Sequence, residues 1–600
     1  MPFFSGGFSG VDVFFVISGF LMTKIILSGL AHNNFNFKDF YFKRAKRIIP
    51  ALLFLIFFVL IISNVIFLTS DLRLNSKYGF LSALFVSNIY FWLYTGYFDM
   101  SSQTNILLHT WSLSVEWQFY LLYPLLLWPF RKLYVNNKKK FIGFFILFTL
   151  FSFFLMLFLT ENYNSFAFYM FPTRSWEMTL GGLASLLSVE SIFKNKTIWT
   201  KKVIVLLCYF IIIACNPFIN ESFLWPSAFT LIPTVAAFMI LLLNVDFIFL
   251  KNKALQFIGN ISYSLYLWHW PLYICFKYFG FTDTYSVIIL IILSFILGTL
   301  SYYLIEINKK IINVKSIGWA FFIILFFSAV LFFKPSNKIT QSLSIYDKEV
   351  ADMGDFKTSN PKEWEKQFNS CGCFITQSLN FSDYNLSKCL NIDQNKKNIL
   401  LIGDSHAAQL SASLREKLLD YNILEASASY TFPFIEPSGK KDSKFLMNLV
   451  FNDFLKKNPD KIDVVLISTH WLMYRNGQLG YKKEDIKENL LKTIKYLQDK
   501  KIKVFVLGQT ETYTIPYPKI VMLNITFNKN LDSRYIDKEA EELNTYFKSF
   551  IPKDVYVDIY NRNVIKYDKK TKTPYMFDDN HLTRLGADQV VDYLIENSKL

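Results

Sequence analysis

Asn398-Ile-Leu-Leu-Ile-Gly-Asp-Ser-His406 joins an apolar run to a Gly-Asp-Ser-His turn, and Asp578-Asp-Asn-His581 lies near the far end of the chain. The run reads as a buried parallel strand and Ala407 to Leu419 as the helix after it, so Ser405 falls at a strand-to-helix turn. Backbone N–H groups converge at such a turn, as a developing oxyanion requires. A serine hydroxyl is a weak nucleophile at neutral pH and needs a base, plus a group that orients the base. Ser405, His581 and Asp578 are the candidates for these three roles. Asp578 and His581 lie in one polar loop ahead of the helical stretch Arg584 to Glu596, so a single loop delivers both. Gly-Asp-Ser alone is ordinary turn chemistry; its pairing with a late Asp-x-x-His is what makes the signal specific.

Outward from this turn, strand-like runs at Asp463 to Ser468, Lys503 to Leu507 and Val555 to Ile559 alternate with helical stretches. That alternation predicts a doubly wound, three-layer α/β/α domain over residues 398–600. Ahead of it, residues 335–397 read as a polar, irregular linker holding Cys371, Cys373 and Cys389. In an extracytoplasmic setting one disulfide is expected there, Cys389 with Cys371 or Cys373. Cys208, Cys215 and Cys275 sit in apolar stretches and read as packing residues.

Everything before Lys334 is of a different character. Hydrophobic residues make up 52% of the chain, Phe alone numbers 64, and the mean hydropathy is +0.27. Apolar runs at Val11 to Leu30, Ile48 to Leu68, Ile106 to Phe130, Phe141 to Leu159, Arg174 to Ser188, Val203 to Ile219, Pro226 to Leu243, Gln256 to Phe279, Tyr285 to Ile305 and Ile317 to Phe333 predict roughly ten membrane crossings. The net charge of +16 does not point to nucleic acid. Its basic residues fall in short loops, among them Lys43/Arg44/Lys46/Arg47, Arg131/Lys132 and Lys309/Lys310, which the positive-inside rule places in the cytoplasm. For all these loops to share one side, the apolar stretch Tyr78 to Tyr94 has to be re-entrant or interfacial. Both chain ends then lie outside, with the C-terminal domain extracytoplasmic. The six histidines, His32, His109, His269, His406, His470 and His581, form no metal-binding spacing, and no metal is expected.

Two resemblances follow from these residues. Leu401-Ile-Gly-Asp-Ser-His-Ala407 and Asp578-Asp-Asn-His-Leu-Thr-Arg-Leu-Gly-Ala587 resemble the first and last blocks of the SGNH hydrolase family. The family's middle blocks, which give a glycine and an asparagine to the oxyanion hole, are not recognisable; Thr469-His470-Trp471 stands where the asparagine block is expected. Gly403, His470 and Trp471 are therefore the oxyanion or substrate candidates. Before Lys334, Phe4-Ser-Gly-Gly-Phe-Ser-Gly-Val-Asp-Val-Phe-Phe-Val-Ile-Ser-Gly-Phe20, Phe40-Tyr-Phe-Lys-Arg-Ala-Lys-Arg-Ile-Ile-Pro50, His109-Thr-Trp-Ser-Leu-Ser-Val-Glu-Trp-Gln-Phe-Tyr120, Pro172-Thr-Arg-Ser-Trp-Glu177 and Gly259-Asn-Ile-Ser-Tyr-Ser-Leu-Tyr-Leu-Trp-His-Trp-Pro271 resemble acyltransferase family 3. The first of these motifs normally follows a transmembrane helix that carries an arginine and a histidine implicated in acyl transfer. The chain begins inside that pattern, and an upstream helix is expected to complete it. Lys43 stands where the family usually has the first arginine of a pair, which keeps the charge but loses the bidentate fork that grips phosphate.

The resemblance implies a polytopic all-α membrane domain over residues 1–334 that takes acetyl from cytoplasmic acetyl-coenzyme A. It implies a bacterial inner-membrane O-acetyltransferase whose C-terminal domain is periplasmic. The acceptor would be an envelope polysaccharide or lipid-linked glycan, with lipopolysaccharide O-antigen, capsule and peptidoglycan all open. Lys43, Arg44 and Arg47 are candidates for binding the phosphates of the donor. His109, Glu116, Arg174, Glu177, His269 and Glu306 are ionisable groups in or beside apolar spans, where charge is costly and function is the default reading; an internal ion pair of Arg174 with Glu177 is the structural alternative. Two other functions fit the same residues: a membrane-anchored carbohydrate acetyl esterase, for which one span would suffice, and a non-catalytic transporter of lipid-linked sugars, in which Ser405 would be dispensable.

Overall fold

The structure is a computed structural model. It describes all residues except 1–5, 95–103, 188–196, 220–223, 282, 309–312, 336–337, 370–371, 377–378, 476–478, 480, 561–562 and 598–600. The chain divides into two compact units, Met1–Ser344 and Ile345–Leu600.

Every element of the first unit's described residues is a helix. Among them, 6 helices are long and apolar enough to cross a membrane: Ser9–Ala31, Phe37–Ile66, Lys138–Glu161, Ile198–Phe218, Thr284–Glu306 and Val314–Phe333. Roughly ten crossings are expected from apolar runs, and these 6 meet the length and hydropathy of a span among the described residues. The other four runs still form helices, at Thr110–Leu127, Phe171–Leu186, Leu231–Leu243 and Lys253–Tyr278. Two are short, at 16 and 13 residues. Thr110–Leu127 and Phe171–Leu186 turn Ser112, Ser114 and Glu116, and Thr173, Arg174 and Glu177, into the interior. Inward polar groups lower a segment's hydropathy without exposing it to lipid.

Close backbone approach organises this unit. A Cβ on Gly19 would lie 1.8 Å from the carbonyl oxygen of Met178, and one on Gly181 would lie 1.8 Å from that of Val16. Helices Ser9–Ala31 and Phe171–Leu186 therefore cross almost backbone to backbone, as small residues permit. The stretch Tyr78 to Tyr94 breaks into helices Thr69–Ala83 and Ser87–Tyr94, with Phe85 at φ 57° between them. The second of these has 8 residues, a span of about 12 Å at the rise of an α-helix, too short to cross alone.

The second unit is built on a six-stranded, all-parallel sheet: β1 (Phe374–Ile375), β2 (Lys397–Gly403), β3 (Tyr421–Ala428), β4 (Val464–Ser468), β5 (Lys503–Leu507) and β6 (Tyr556–Val557), in the order β1-β3-β2-β4-β5-β6. β2 is buried from Asn398 to Gly403, which explains its unbroken apolar run. Leu400 and Ile402 join a large core with residues of helices Lys441–Leu449, Lys483–Asp499 and Lys538–Lys548. Helix Ser405–Lys417 packs on β2 and β3, and helix Arg584–Glu596 packs beside it. The chain leaves β2 toward β3 on one side and later returns to β4 on the other. Ser405 therefore stands at the topological switch point, where open α/β sheets place their ligands.

Residues 335–397, expected to be an irregular linker, are different. From Ile345 onward they belong to the second unit and contain helices Lys348–Gly354, Phe356–Ser359 and Pro361–Asn369 as well as β1. Phe356, Trp364 and Phe368 supply the reason: they pack with Ala408, Phe374 and Phe577 in a separate apolar cluster. A disulfide joins Cys373 to Cys389; Cys371 lies outside the described residues. Strand β3 is not singled out by sequence pattern because Glu425 interrupts it, buried and accepting hydrogen bonds from Ser411 and Ser427.

Candidate active site

Two backbone features aim Ser405. Gly403 ends β2 at φ 152°, paired with Ser427 on one side and Ser468 on the other, and a Cβ there would fall 1.7 Å from the Ser468 carbonyl oxygen. Asp404 then caps the helix that Ser405 begins, accepting from the His406 N–H at 2.8 Å through one oxygen and from the His470 N–H at 2.9 Å through the other. Asp404 thereby ties the serine turn to the segment after β4.

The Asp578 loop meets this turn. His581 Nε2 lies 2.9 Å from Ser405 Oγ, and Nδ1 lies 2.9 Å from Asp578 Oδ1. With the Nδ1 proton donated to Asp578, Nε2 is free to accept the hydroxyl proton of Ser405. Asp578 Oδ1 also accepts from the backbone N–H of His581, and Oδ2 accepts from Lys357 Nζ at 2.9 Å. Trp364 and Phe368 set their rings edge-on to His581, each at a centroid distance of 5.5 Å. Asn580 Oδ1 lies 3.0 Å from His406 Nε2, linking the two loops a second time.

These contacts set the electrostatics. Burial pulls the His581 imidazole down, but the charge and hydrogen bond of Asp578 outweigh it and leave His581 above its ordinary value. Burial also opposes ionisation of Asp578, yet His581 and then Lys357 hold its carboxyl far below the usual carboxylate range. Burial, with Asp578 next to it, raises Asp579 to about 6. His406 is pushed down to about 4, chiefly by burial, and His470 well below its ordinary value by burial and then by His406. The site therefore holds one basic imidazole facing the serine and two neutral ones beside it.

The oxyanion and substrate candidates separate. Trp471 is fully buried, donates its indole N–H to the Leu507 carbonyl and packs against Phe547, so it is a core residue and not a substrate contact. The pattern Thr469-His470-Trp471 does not distinguish an inward ring from an outward one. Gly403 serves the close approach to Ser468. The backbone N–H groups of His406 and His470 are both donated to Asp404. The half-buried His470 ring stacks on His406 at 4.9 Å, and its Nε2 has no hydrogen-bond partner among the described residues. In the same unit, a cleft of about 870 Å³ is lined by Glu363, Lys366, Gln367, Arg415, Asp568, Phe577 and Arg584, among others.

In the first unit the ionisable candidates fall into three groups. Arg174 pairs with Asp12 and, at 3.0 Å, with Glu177, all three buried; Asp12 is a partner that sequence reasoning did not identify. Glu116 accepts from Ser18 at 2.9 Å and from Tyr120, and lies within electrostatic reach of Arg44 and Arg47. Arg47 also faces Glu306, which accepts from Ser264. Lys43 is exposed and outside this group. The rings of His109 and His269 approach to 5.9 Å, with Tyr266 beside both.

Sequence reasoning also missed Lys357, Trp364 and Phe368. The aromatic pair, at i and i+4 in an otherwise charged helix, carried a readable amphipathic signal; Lys357 carried none, because its partner lies 221 residues away.

The profile described as an acyltransferase domain matches residues 2–332, and one described as an SGNH domain fused to such domains matches residues 372–596. A putative peptidoglycan O-acetyltransferase of Bacillus subtilis, YrhL, is 26% identical over 70% of this chain and 75% of its own length. The O-acetyltransferase OatA of Staphylococcus aureus is 33% identical over 51% of this chain, and the match spans 53% of OatA. Among solved structures, the periplasmic domain of a lipopolysaccharide acetyltransferase from Salmonella Paratyphi A aligns at 20% identity and a TM-score of 0.35, covering 42% of this chain and 100% of that one.

Proposed function

Because the chain belongs to the acyltransferase family, with an SGNH domain fused after the membrane helices, we propose that it is an O-acetyltransferase that moves acetyl from acetyl-coenzyme A to hydroxyls of a cell-envelope polysaccharide. The observation that carries this reading is the approach of His581 Nε2 to Ser405 Oγ at 2.9 Å, with Asp578 on the opposite ring nitrogen.

Ser405 Oγ attacks the acetyl carbonyl while its proton passes to His581 Nε2. The leaving group departs with that proton, and acetyl remains on Ser405 as an ester. A sugar hydroxyl then attacks this ester, His581 takes its proton, and the proton returns to Ser405 Oγ as acetyl leaves on the sugar. The charged and amide-lined cleft beside the domain's aromatic cluster suits a saccharide acceptor. In the membrane unit, Arg44 and Arg47 are assigned to the phosphates of the donor, with Glu116 and Glu306 orienting them. His109 and His269 are assigned to passing acetyl outward across the membrane, and the Asp12–Arg174–Glu177 group to holding helices in place. The C-terminal domain acts outside the inner membrane, on O-antigen, capsule or peptidoglycan.

The test is base-released acetate from purified envelope glycans of a strain that lacks the gene and is complemented with the chain or its Ser405→Ala variant. Acetate restored by the chain alone supports the proposal. Acetate unchanged by both overturns it, and acetate lowered by the chain favours the esterase.

A further inference from the structure

We propose that Lys357 is a positioning residue of the acyl-transfer site, an ammonium group that holds Asp578 in place and tempers its charge through Oδ2. The inference rests on the reading of Ser405 as nucleophile.

Asp578 brings His581 and Lys357 together. His581 Nδ1 lies 2.9 Å from Oδ1 and 3.1 Å from Oδ2, Oδ1 also takes the His581 backbone N–H, and Oδ2 takes Lys357 Nζ at 2.9 Å. Lys357 is itself held, its ammonium 3.6 Å from the centroid of Trp364, whose ring stands edge-on to His581. Lysine, tryptophan, imidazole and carboxylate thus close a ring of contacts in which moving one displaces the others. Lys357 and Trp364 both precede the stretch matched by the SGNH profile, so the Ser-His-Asp arrangement is completed from outside it.

The chemical consequence follows from charge. A carboxylate that already faces a cation stabilises an imidazolium less, so His581 stays neutral, and able to accept the Ser405 proton, down to lower pH. Lys357 acts on both partners in this sense, lowering His581 and Asp578 alike. The other groups facing His581 are Asp579, His406 and His470, and substituting Lys357 leaves all three in place.

The test uses the full chain in detergent or nanodiscs and phenylmethylsulfonyl fluoride as a probe that needs no acceptor sugar. Ser405 Oγ bonds to sulfur, fluoride leaves, and the hydroxyl proton passes through His581 to solvent, so the labelling rate reports neutral His581. The rate, read by mass spectrometry, is followed against pH for the wild type, Lys357→Met and Lys357→Arg. The expected result is a midpoint for Lys357→Met higher by about 0.5 to 1 pH unit, as loss of a nearby charge gives, with Lys357→Arg keeping the wild-type midpoint. A slower rate with an unmoved midpoint in Lys357→Met overturns the proposal and leaves Lys357 a packing residue. Absence of Ser405 labelling in the wild type at every pH instead overturns the nucleophile reading beneath it.

Discussion

Gly403 lies so close to Ser468 that a methyl group on its α-carbon would fall 1.7 Å from the Ser468 carbonyl oxygen. The contact sets how far β2 and β4 stand apart at the point where the chain turns into Ser405. Gly403→Ala is therefore expected to cost about 1–3 kcal/mol from overpacking, before any cost from its positive φ. Thermal unfolding of the full chain in detergent checks this. An unfolding midpoint equal to wild type would mean that β4 yields freely and that the contact is not a constraint.

The pH dependence has a definite sign. Only neutral His581 accepts the Ser405 proton, and Asp578 holds His581 above its ordinary value. Acetyl transfer should therefore rise with pH through a midpoint above about 6.5, the ordinary histidine value. Asp578→Asn should move that midpoint down and lower the rate by about 10⁴-fold, as loss of the orienting carboxylate does in a serine triad. Initial rates of acetyl transfer across the neutral range settle both points.

The same pair acts on stability in opposite directions. The raised His581 contributes stability that is full below its unfolded value and is lost as pH rises through its folded value. The lowered Asp578 contributes stability present above its unfolded value and lost only as pH falls through a folded value far below it. Asp578→Asn should thus flatten the acid side of the unfolding-temperature profile, which calorimetry against pH reads directly.

The Cys373–Cys389 bond closes a loop with a sequence separation of 16 and anchors β1 beside β3. Its removal by Cys373→Ala is expected to lower stability by about 3 kcal/mol. The unfolding temperature with and without a thiol reductant should fall by a similar amount in the wild type and stay constant in the variant.

Arg174 neutralises two buried carboxylates, Asp12 and Glu177. Arg174→Ala should cost about 3–5 kcal/mol by stranding both charges, and Arg174→Lys should recover only part of it, because an ammonium group cannot grip both as a guanidinium does. Folded protein recovered from membranes, read by size-exclusion in detergent, distinguishes these variants. Equal recovery of Arg174→Ala and wild type would show that the group is not structural.

Local pattern determined much of this protein. The run before Gly403, the turn through His406 and the Asp578–His581 spacing are short-range signals, and each names its element and its chemistry without any partner in view. The division into an apolar helical part and an α/β part is equally local, because the length and hydropathy of each segment report its solvent. Only the tertiary structure decided which elements touch. It placed Lys357, Trp364 and Phe368 of the expected linker against Asp578 and His581, turned Trp471 into the core, brought Asp12 to Arg174, and gathered Arg44, Arg47, Glu116 and Glu306 while leaving Lys43 outside. The physical reason is the same in each case. A single charge, or a ring with no periodic partner, carries no record of its contact, because that contact is chosen by packing between segments far apart in the chain.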